Sequence, residues 1–485
     1  MKRPPVLSGL FSICLFGLIL SGQLLGNALT ITNLDRDSLA QTVSFEIQWN
    51  NSWRLDSTAA PLNWDAAWVF VKFLPCNASP SISWSHGQLS TTLADHSFDD
   101  LEPVLADGSA VGLDSDALGV MLRRNRNGLF PNAPASTITL HVTNMLPNEA
   151  YHLRVVGIEM VFVPEDTFAV GGLTYSNAFS QTPTVTDPTP LTINSEAAQT
   201  ITSHASGVNA SVSLSAAFPK GFAAFHIMKY EISQGQYATF LNSIAVAYQT
   251  NRYPNQLGNN RNRVQGSGNN SLNLYYADRP DRACNYLSWD DLMAYLDWAA
   301  LRPMSELEFE KACRGRDTVV TDEYAWGTTN LFEVITLTSP EDGAEIPGNL
   351  PANANYLNNN FTGGDGGRGP VRAGLFALPT NSTREQSGAT YYGIMEMSGN
   401  VSEACVRVED GTATTGTINF TRNWGDGVLS ATQMANTPGW PAIGDAGISI
   451  RGGDWNDGSA FLRTADRSPG WAGGRDQAIG GRGVR

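Results

Sequence analysis

A chain of 485 residues with 42% hydrophobic and 9% aromatic content carries enough apolar material for about two or three domains, which excludes wholesale disorder. Its 46 acidic residues against 31 Lys and Arg leave a net charge of −15, a field that repels nucleic acid and anionic membrane surfaces and suits cations. In chain order, Lys2 and Arg3, an apolar run over 6–20 and the small residues Gly26 and Ala28 predict a secretory signal peptide over 1–28. The run is short for a membrane span. The expectation is therefore a secreted, periplasmic or cell-surface protein with no integral membrane segment after cleavage. Beyond Cys14 in the leader, Cys76, Cys284, Cys313 and Cys405 contain no CxxC pair, which gives no support to a zinc ribbon or a thioredoxin-type site. Export permits disulfides, and the sequence cannot pair these four; isolated buried thiols are the preferred reading.

Residues 29–156 alternate apolar and polar positions in "TVSFEIQWN", "AAWVFVKFL", "STITLHVTNML" and "AYHLRVVGIEM", with turn-forming residues between them. This pattern predicts an antiparallel β-sandwich. Three tryptophans in "NNSWRLDSTAAPLNWDAAWVFVKF" read as core rather than as a binding platform. The Ser/Thr/Asn/Pro-rich stretch 174–215 predicts a long loop or hairpin excursion. Helices follow, each with a start signal. Ser233 precedes "QGQYATFL", Ser288 stands three residues before Asp291, and Ser305 forms a capping box with Glu308 in a helix closed by Gly315. After Gly315, Gly, Asn and Asp dominate. The prediction is a multidomain chain, an N-terminal antiparallel β-sandwich followed over 157–485 by an α+β domain rich in irregular backbone.

Seven segments of that second domain, in order, carry a family resemblance: "MVFVPEDTFAVGG" (160–172), "KYEISQGQYATFLN" (229–242), "YLSWDDLMAYLDWAALRPMSELEFEKACRG" (286–315), "YAWG" (324–327), "YGIMEMSGNVSEAC" (392–405), "IRGGDW" (450–455) and "IGGRGVR" (479–485). They resemble the formylglycine-generating enzymes, or sulfatase-modifying factors, over roughly 158–485. The resemblance implies a C-type-lectin-like fold. It also implies a Cu(I) site of two thiolates following the "RGG" turn. By spacing, those thiols fall near Asp457 and Leu462, and no cysteine follows Cys405. Carboxylate and alkyl groups do not hold Cu(I) as thiolates do, so copper is not expected and catalysis is left undecided. A second branch of the family uses a three-histidine iron site. The six histidines here, His86, His96, His141, His152, His204 and His226, all precede residue 227, which opposes that site and a Ser-His-Asp triad in the C-terminal domain.

The resemblance also implies Ca²⁺, a hard cation that takes oxygen ligands. One implied set is Glu396, the Gly399 and Val401 carbonyls and Glu403. The other is Asn355, the Tyr356 carbonyl, Asp365 and the Gly367 carbonyl. Glu306 and Glu308 read as helix-capping acids, and Arg451, Arg463, Arg467 and Arg482 as partners of the excess carboxylates. With the scaffold motifs present and the thiols absent, the preferred function is a binding module for a protein or glycan ligand. Its groove is expected at Trp455, Asn456, Asp457, Phe461 and Trp471, in a segment that a related group of the family diversifies for ligand binding. Two readings stay open: a divergent enzyme of the family using Asp454, Asp457 and Asp466, and a structural surface component.

Overall fold

In the computed structural model, residues 29–485 are described except 57–59, 80–81, 173–177, 181–188, 206–207, 268–271, 409–419, 444–446 and 469. The predicted signal peptide, 1–28, lies outside the described residues, as does part of the Ser/Thr-rich excursion.

The architecture turns on the strand Asp65–Pro75, whose sequence DAAWVFVKFLP is apolar on both faces and buried along nearly its whole length. Its even positions Ala66, Trp68 and Phe70 join one core, and its odd positions Ala67, Val69, Val71 and Phe73 join another. A strand buried on both faces belongs in the middle of a layered fold. It pairs antiparallel with Tyr151–Val163 over eleven registered positions, from Tyr151↔Pro75 to Val161↔Asp65. The sheet continues from Tyr151–Val163 to Phe225–Met228, Gly483–Val484 and Arg302–Pro303 on one side. On the other side of Asp65–Pro75 it runs to Val120–Arg124 and Leu101–Val104. One sheet thus holds strands from both ends of the sequence, and Tyr151–Val163 runs through residues 156 and 157, where the composition places the domain boundary.

The odd face packs on a three-stranded sheet of Thr30–Asp37, Thr42–Gln48 and Ser136–His141, through Val43, Phe45, Ile47, Ile138 and Leu140. The even face packs on helices α1 (Gln234–Leu241) and, after the short α2 (Val246–Arg252), α3 (Trp289–Trp298), through Phe240, Tyr295, Leu296 and Trp298. The Phe70 and Trp298 rings meet edge-on at 5.2 Å, and Trp68 Nε1 donates to the Ala299 carbonyl at 2.8 Å. Of the predicted tryptophan cluster, Trp64 and Trp68 are core and Trp53 packs against a second core. The described part of the 174–215 excursion is β: Gln199–Ala205 and Val208–Leu214 form a hairpin with Phe179–Ser180 alongside. Ile201, Val212 and Leu214 enter the same large core as α3.

The helix starts are as the sequence predicts. Complete capping boxes join Ser233 with Gln236, Ser288 with Asp291 and Ser305 with Glu308 before α1, α3 and α4 (Glu306–Arg314). Cys284, Cys313 and Cys405 are buried free thiols, and Cys76 is half-buried. Among the described residues no helix is long and apolar enough to cross a membrane.

Candidate functional site

The "RGG" segment enters as the strand Ile448–Arg451, which pairs antiparallel with Ser402–Val406 and sets Glu403 opposite Arg451. Gly452 follows at φ +84°. A Cβ there would lie 2.9 Å from both Glu403 Oε2 and the Met397 carbonyl, so only glycine lets the backbone pass this close to a buried carboxylate.

Arg451 is fully buried and locks the strand onto α4. Its Nη1 lies 3.3 Å from Glu306 Oε1 and its Nη2 2.9 Å from Glu310 Oε1. Arg467 reaches Glu306 Oε2 at 2.6 Å, and Arg314 binds Glu310 at 3.2 Å and Glu323 at 2.5 Å. Burial alone would raise the Glu306 carboxyl, but Arg467 and Arg451 overcome it and hold the group down to about 2. Glu306 is therefore a structural anion, while Glu308 caps α4 and pairs with Arg302 at 2.6 Å.

A second buried cluster holds the first predicted cation site. Glu403 accepts from Arg482 Nε at 2.8 Å, and Glu396 accepts from the Gly374 N–H at 3.0 Å. Glu231 accepts from the Val401 N–H at 3.1 Å and from Asn400 Nδ2 at 2.7 Å. The second oxygens of Glu396 and Glu403 are buried without a hydrogen-bond partner. Burial pushes Glu396 up to about 7, against the Gly374 N–H and Arg482, with Glu403 adding repulsion. Burial also pushes Glu403 up to about 7, against Arg482. The two unpartnered oxygens of Glu396 and Glu403 are the feature of this structure that a cation between these two acids would satisfy. Among the described residues no three His, Cys, Asp or Glu side chains converge as a metal-ligand set, so backbone carbonyls are essential to such a site.

The second predicted set does not fit a cation. Asp365 is gripped by Arg279 at 2.7 Å and Arg282 at 2.6 Å. The Gly367 carbonyl already accepts from the Phe361 N–H at 2.8 Å. The Asn355 amide donates to Gly369 O and Asn400 Oδ1 at 3.0 and 3.2 Å, and the Tyr356 carbonyl accepts from Asn359 at 3.4 Å. Two guanidiniums occupy the place the sequence reading gave to an ion. The sequence signal for this was the arginine pair in "DRPDRA" (278–283), which spacing alone does not tie to Asp365.

The predicted groove residues separate. Trp455 is core, a correction to its expected place in the groove: it is 1% exposed, packs with Ala283, Val401 and Ala478, and donates Nε1 to the Gln477 carbonyl at 3.3 Å. Asn456 is exposed, Asp457 is half-buried and Phe461 is 38% exposed on the 3₁₀ turn Ser459–Leu462. Leu462, at the second expected thiol position, is fully buried among Phe309, Trp326 and Met397. Burial of Asp454, with repulsion from Asp457, pushes its carboxyl up to about 7, and burial raises Asp457 to about 6. Trp471 is half-buried, with its ring edge-on to Trp289 at 6.4 Å.

One polar feature was not foreseen. An open cavity of about 360 Å³ lies at the start of α3, lined by Tyr248, Arg252, Asp290, Thr432 and Arg475 among others. Arg475 spans from Asp291, at 2.7 Å, to the Asn251 carbonyl, at 2.7 Å. The Trp455–Gln477 bond joins this segment to the 454–457 turn. The lining comes from four separate stretches of chain, so no local motif announces it.

These elements define an α+β scaffold whose long "RGG"-to-terminus connection carries the exposed polar and aromatic groups. Residues 215–485 match the sulfatase-modifying factor enzyme 1-like domain, and the chain belongs to that family. The opening motif at 160–172 lies before the matched span. Among solved structures the chain is similar to Treponema denticola variable protein 1, with 16% identity over 68% of this chain and 95% of that one and a TM-score of 0.34. It is also similar to PvdO from Pseudomonas aeruginosa, with 17% identity over 68% of this chain and 94% of that one and a TM-score of 0.31. No curated protein matches.

Proposed function

We propose that this protein is an exported, non-catalytic binding member of the family, which presents a protein or glycan ligand surface on a calcium-stabilised scaffold. The observation that carries the reading is the pair at the expected thiol positions. Asp457 is a carboxylate and Leu462 is sealed in the core. The buried cysteines offer no substitute, since burial raises Cys284, Cys313 and Cys405 above the ordinary thiol range and keeps them protonated. The surface consists of Asn456, Asp457 and Phe461, extended through 475–477 to Trp471 and the cavity at α3. Exposed aromatic tips beside polar groups supply contact area and hydrogen bonds together.

Calcium, when bound between Glu396 and Glu403, supplies the positive charge their orphaned oxygens lack; this chain's part is to hold the two acids on opposite ends of the "EMSGNVSE" loop. The N-terminal region is read as a β-sandwich because Val43, Phe45 and Ile47 of one sheet share a core with Val69, Val71 and Phe73 of the other. A second reading, a divergent enzyme, draws on Asp454 and Asp457. Adjacent acids pushed up to about 7 and about 6 are suited to proton transfer near neutrality.

The deciding experiment is anaerobic Cu(I) titration of the purified chain, followed by an aerobic assay of the copper-treated chain with a sulfatase-type Cys peptide. The expected result is no tight copper binding at the C-terminal loop and no formylglycine. Turnover of the peptide would overturn the non-catalytic reading. In parallel, the triple variant Asp457→Ala, Phe461→Ala, Trp471→Ala is expected to fold and to lose its ligand; unchanged capture would move the site elsewhere, first to the N-terminal sheets.

A further inference from the structure

Three charged side chains meet inside the central sheet. Asp65 opens Asp65–Pro75, Glu159 lies in the neighbouring Tyr151–Val163, and Lys229 follows the next strand, Phe225–Met228. Lys229 Nζ lies 3.2 Å from Asp65 Oδ2 and 3.2 Å from Glu159 Oε2. All three residues are buried, Lys229 at 2% exposure and Asp65 at 0%. Aromatic rings wall the site, with the ammonium 4.8 Å from the Trp53 ring centre and 5.5 Å from that of Tyr230. The Asp65 carboxyl has further donors on both oxygens. Ser52 Oγ lies at 2.7 Å and the Trp53 N–H at 2.9 Å on Oδ1, and Trp49 Nε1 at 3.1 Å on Oδ2.

We propose that Lys229 and Asp65 condense into an intramolecular amide bond, with Glu159 carrying the proton between them. The step balances without any added reagent: an ammonium and a carboxylate become a secondary amide and one water. Glu159 takes a proton from Lys229 Nζ, and the freed lone pair attacks Asp65 Cγ to form the C–N bond. The negative charge that develops on the carboxyl oxygens falls where Ser52, Trp53 and Trp49 already donate, an arrangement that favours a tetrahedral intermediate. Glu159 returns its proton to the departing oxygen, the C–O bond breaks, and the oxygen leaves as water with the remaining Nζ proton. Burial, partly offset by Lys229, pushes Glu159 up to about 7, while Tyr230, Glu159 and Asp65 overcome burial and hold the Lys229 ammonium above its ordinary value, so the proton transfer is the uphill step that the geometry must carry.

Two physical arguments favour the product over a plain ion pair. A buried ammonium and carboxylate carry a desolvation cost that an amide removes. The fold also holds the partners in contact before reaction, which replaces a bimolecular condensation by an intramolecular one at high effective concentration. The product would tie Asp65, far outside the matched family domain, to Lys229 within it. An exported protein gains from such a link because unfolding then cannot separate the strands it joins.

The test is intact-mass spectrometry of the full purified chain under denaturing conditions, referred to its sequenced N-terminus. The expected mass is one water below the sequence mass, with a branched peptide joining Asp65 and Lys229 after digestion. Glu159→Gln keeps the shape of the site and is expected to give the unlinked mass. Asp65→Asn is expected to link with loss of ammonia, giving the same final mass as the linked native chain. Native chain at full sequence mass, with Lys229 recovered in an unbranched peptide, overturns the proposal. Water loss localised to another residue overturns it equally. A link that forms in Glu159→Gln removes Glu159 from the mechanism.

Discussion

Two buried ion clusters meet at the sheet pair Glu403–Arg451, and their charge balance differs. In one, Glu306, Glu310 and Glu323 face Arg451, Arg467 and Arg314. In the other, Glu231, Glu396 and Glu403 share Arg482, with Arg372 adding only to Glu396. The first cluster matches three carboxylates with three guanidiniums and fastens α4 to the "RGG" strand, although Glu323 Oε2 and Arg451 Nε are buried without a hydrogen-bond partner. The second has carboxylate to spare, and the excess shows in which state each cluster prefers. Arginine holds Glu306 down to about 2, whereas burial pushes Glu396 and Glu403 up to about 7. The same residue type in the same kind of burial is a fixed anion in one place and a site for a proton or cation in the other. The count of guanidiniums within reach decides between them.

The largest effect that can break this contrast is expected from Arg451→Ala. It leaves Glu306 short of one partner and Glu310 of another, both fully buried. Removing one side of a buried charge network costs about 3–5 kcal/mol. Urea unfolding should report a loss of that order. A loss below about 1 kcal/mol would mean that Arg467 and Arg314 alone suffice for the three carboxylates.

Calcium should act on the other cluster alone. At a hundredfold excess over Kd a single bound ion stabilises the folded state by about 2.7 kcal/mol. Melting in Ca²⁺ against EDTA should show an upward shift in the native chain, and Glu403→Ala should abolish most of it. An equal shift in Arg451→Ala shows that the two clusters are independent. No shift in the native chain leaves Glu396 and Glu403 as proton sites only.

How far all this could be read in the sequence follows from which interactions are local. Capping boxes span three residues, so Ser233, Ser288 and Ser305 announced their helices. Runs rich in Val, Ile and aromatic residues in Asp65–Pro75 and Tyr151–Val163 announced the strands. The composition of one strand does not name its neighbours, however, and the pairing that carries the central sheet across residue 156 depends on positions more than sixty residues apart, as at Met160↔Met228. The motif order pointed to the family, and with it the Glu396–Glu403 loop. What could not be read was which carboxylates already have arginines. Asp365 meets Arg279 and Arg282 only after an 83-residue loop closes, and Trp455 looks like an exposed aromatic until Ala283 and Ala478 enclose it.

The pH dependence of stability sharpens the comparison with opposite signs. Glu396 and Glu403 titrate higher in the folded chain than the ordinary 4.5, so the folded state holds protons that the unfolded chain has lost. In EDTA their contribution is fully present below about pH 4.5 and is lost as pH rises to about 7, by up to ~1.4 kcal/mol per pH unit for each proton. Glu306 titrates lower, so its contribution is present above 4.5 and is lost as pH falls towards about 2. Stability measured in EDTA should therefore fall between pH 4.5 and 7, and the double variant Glu396→Gln, Glu403→Gln should flatten that fall. Calcium should also flatten it, because the ion takes the place of the protons. A fall that survives the double variant would assign it to other raised acids, first Glu231 of the same cluster, then Asp454 and Glu159.

The smallest effect on stability is expected at Phe461, and it separates a surface residue from a core residue eight positions or fewer from the same glycine pair. Phe461 is 38% exposed, and a Cβ added at Gly453 would meet the Phe461 backbone. Phe461→Ala should change stability by no more than about 0.5 kcal/mol, as surface substitutions do. Trp455→Ala, which empties a sealed apolar space, should cost about 3–5 kcal/mol. A binding surface predicts the reverse order for function: Phe461→Ala weakens ligand capture while the fold is intact. Trp455→Ala at a temperature where it is still folded should capture ligand nearly as the native chain does. If Phe461→Ala destabilises as much as Trp455→Ala, the 3₁₀ turn is part of the core, and the ligand surface contracts to Trp471 and the cavity at α3.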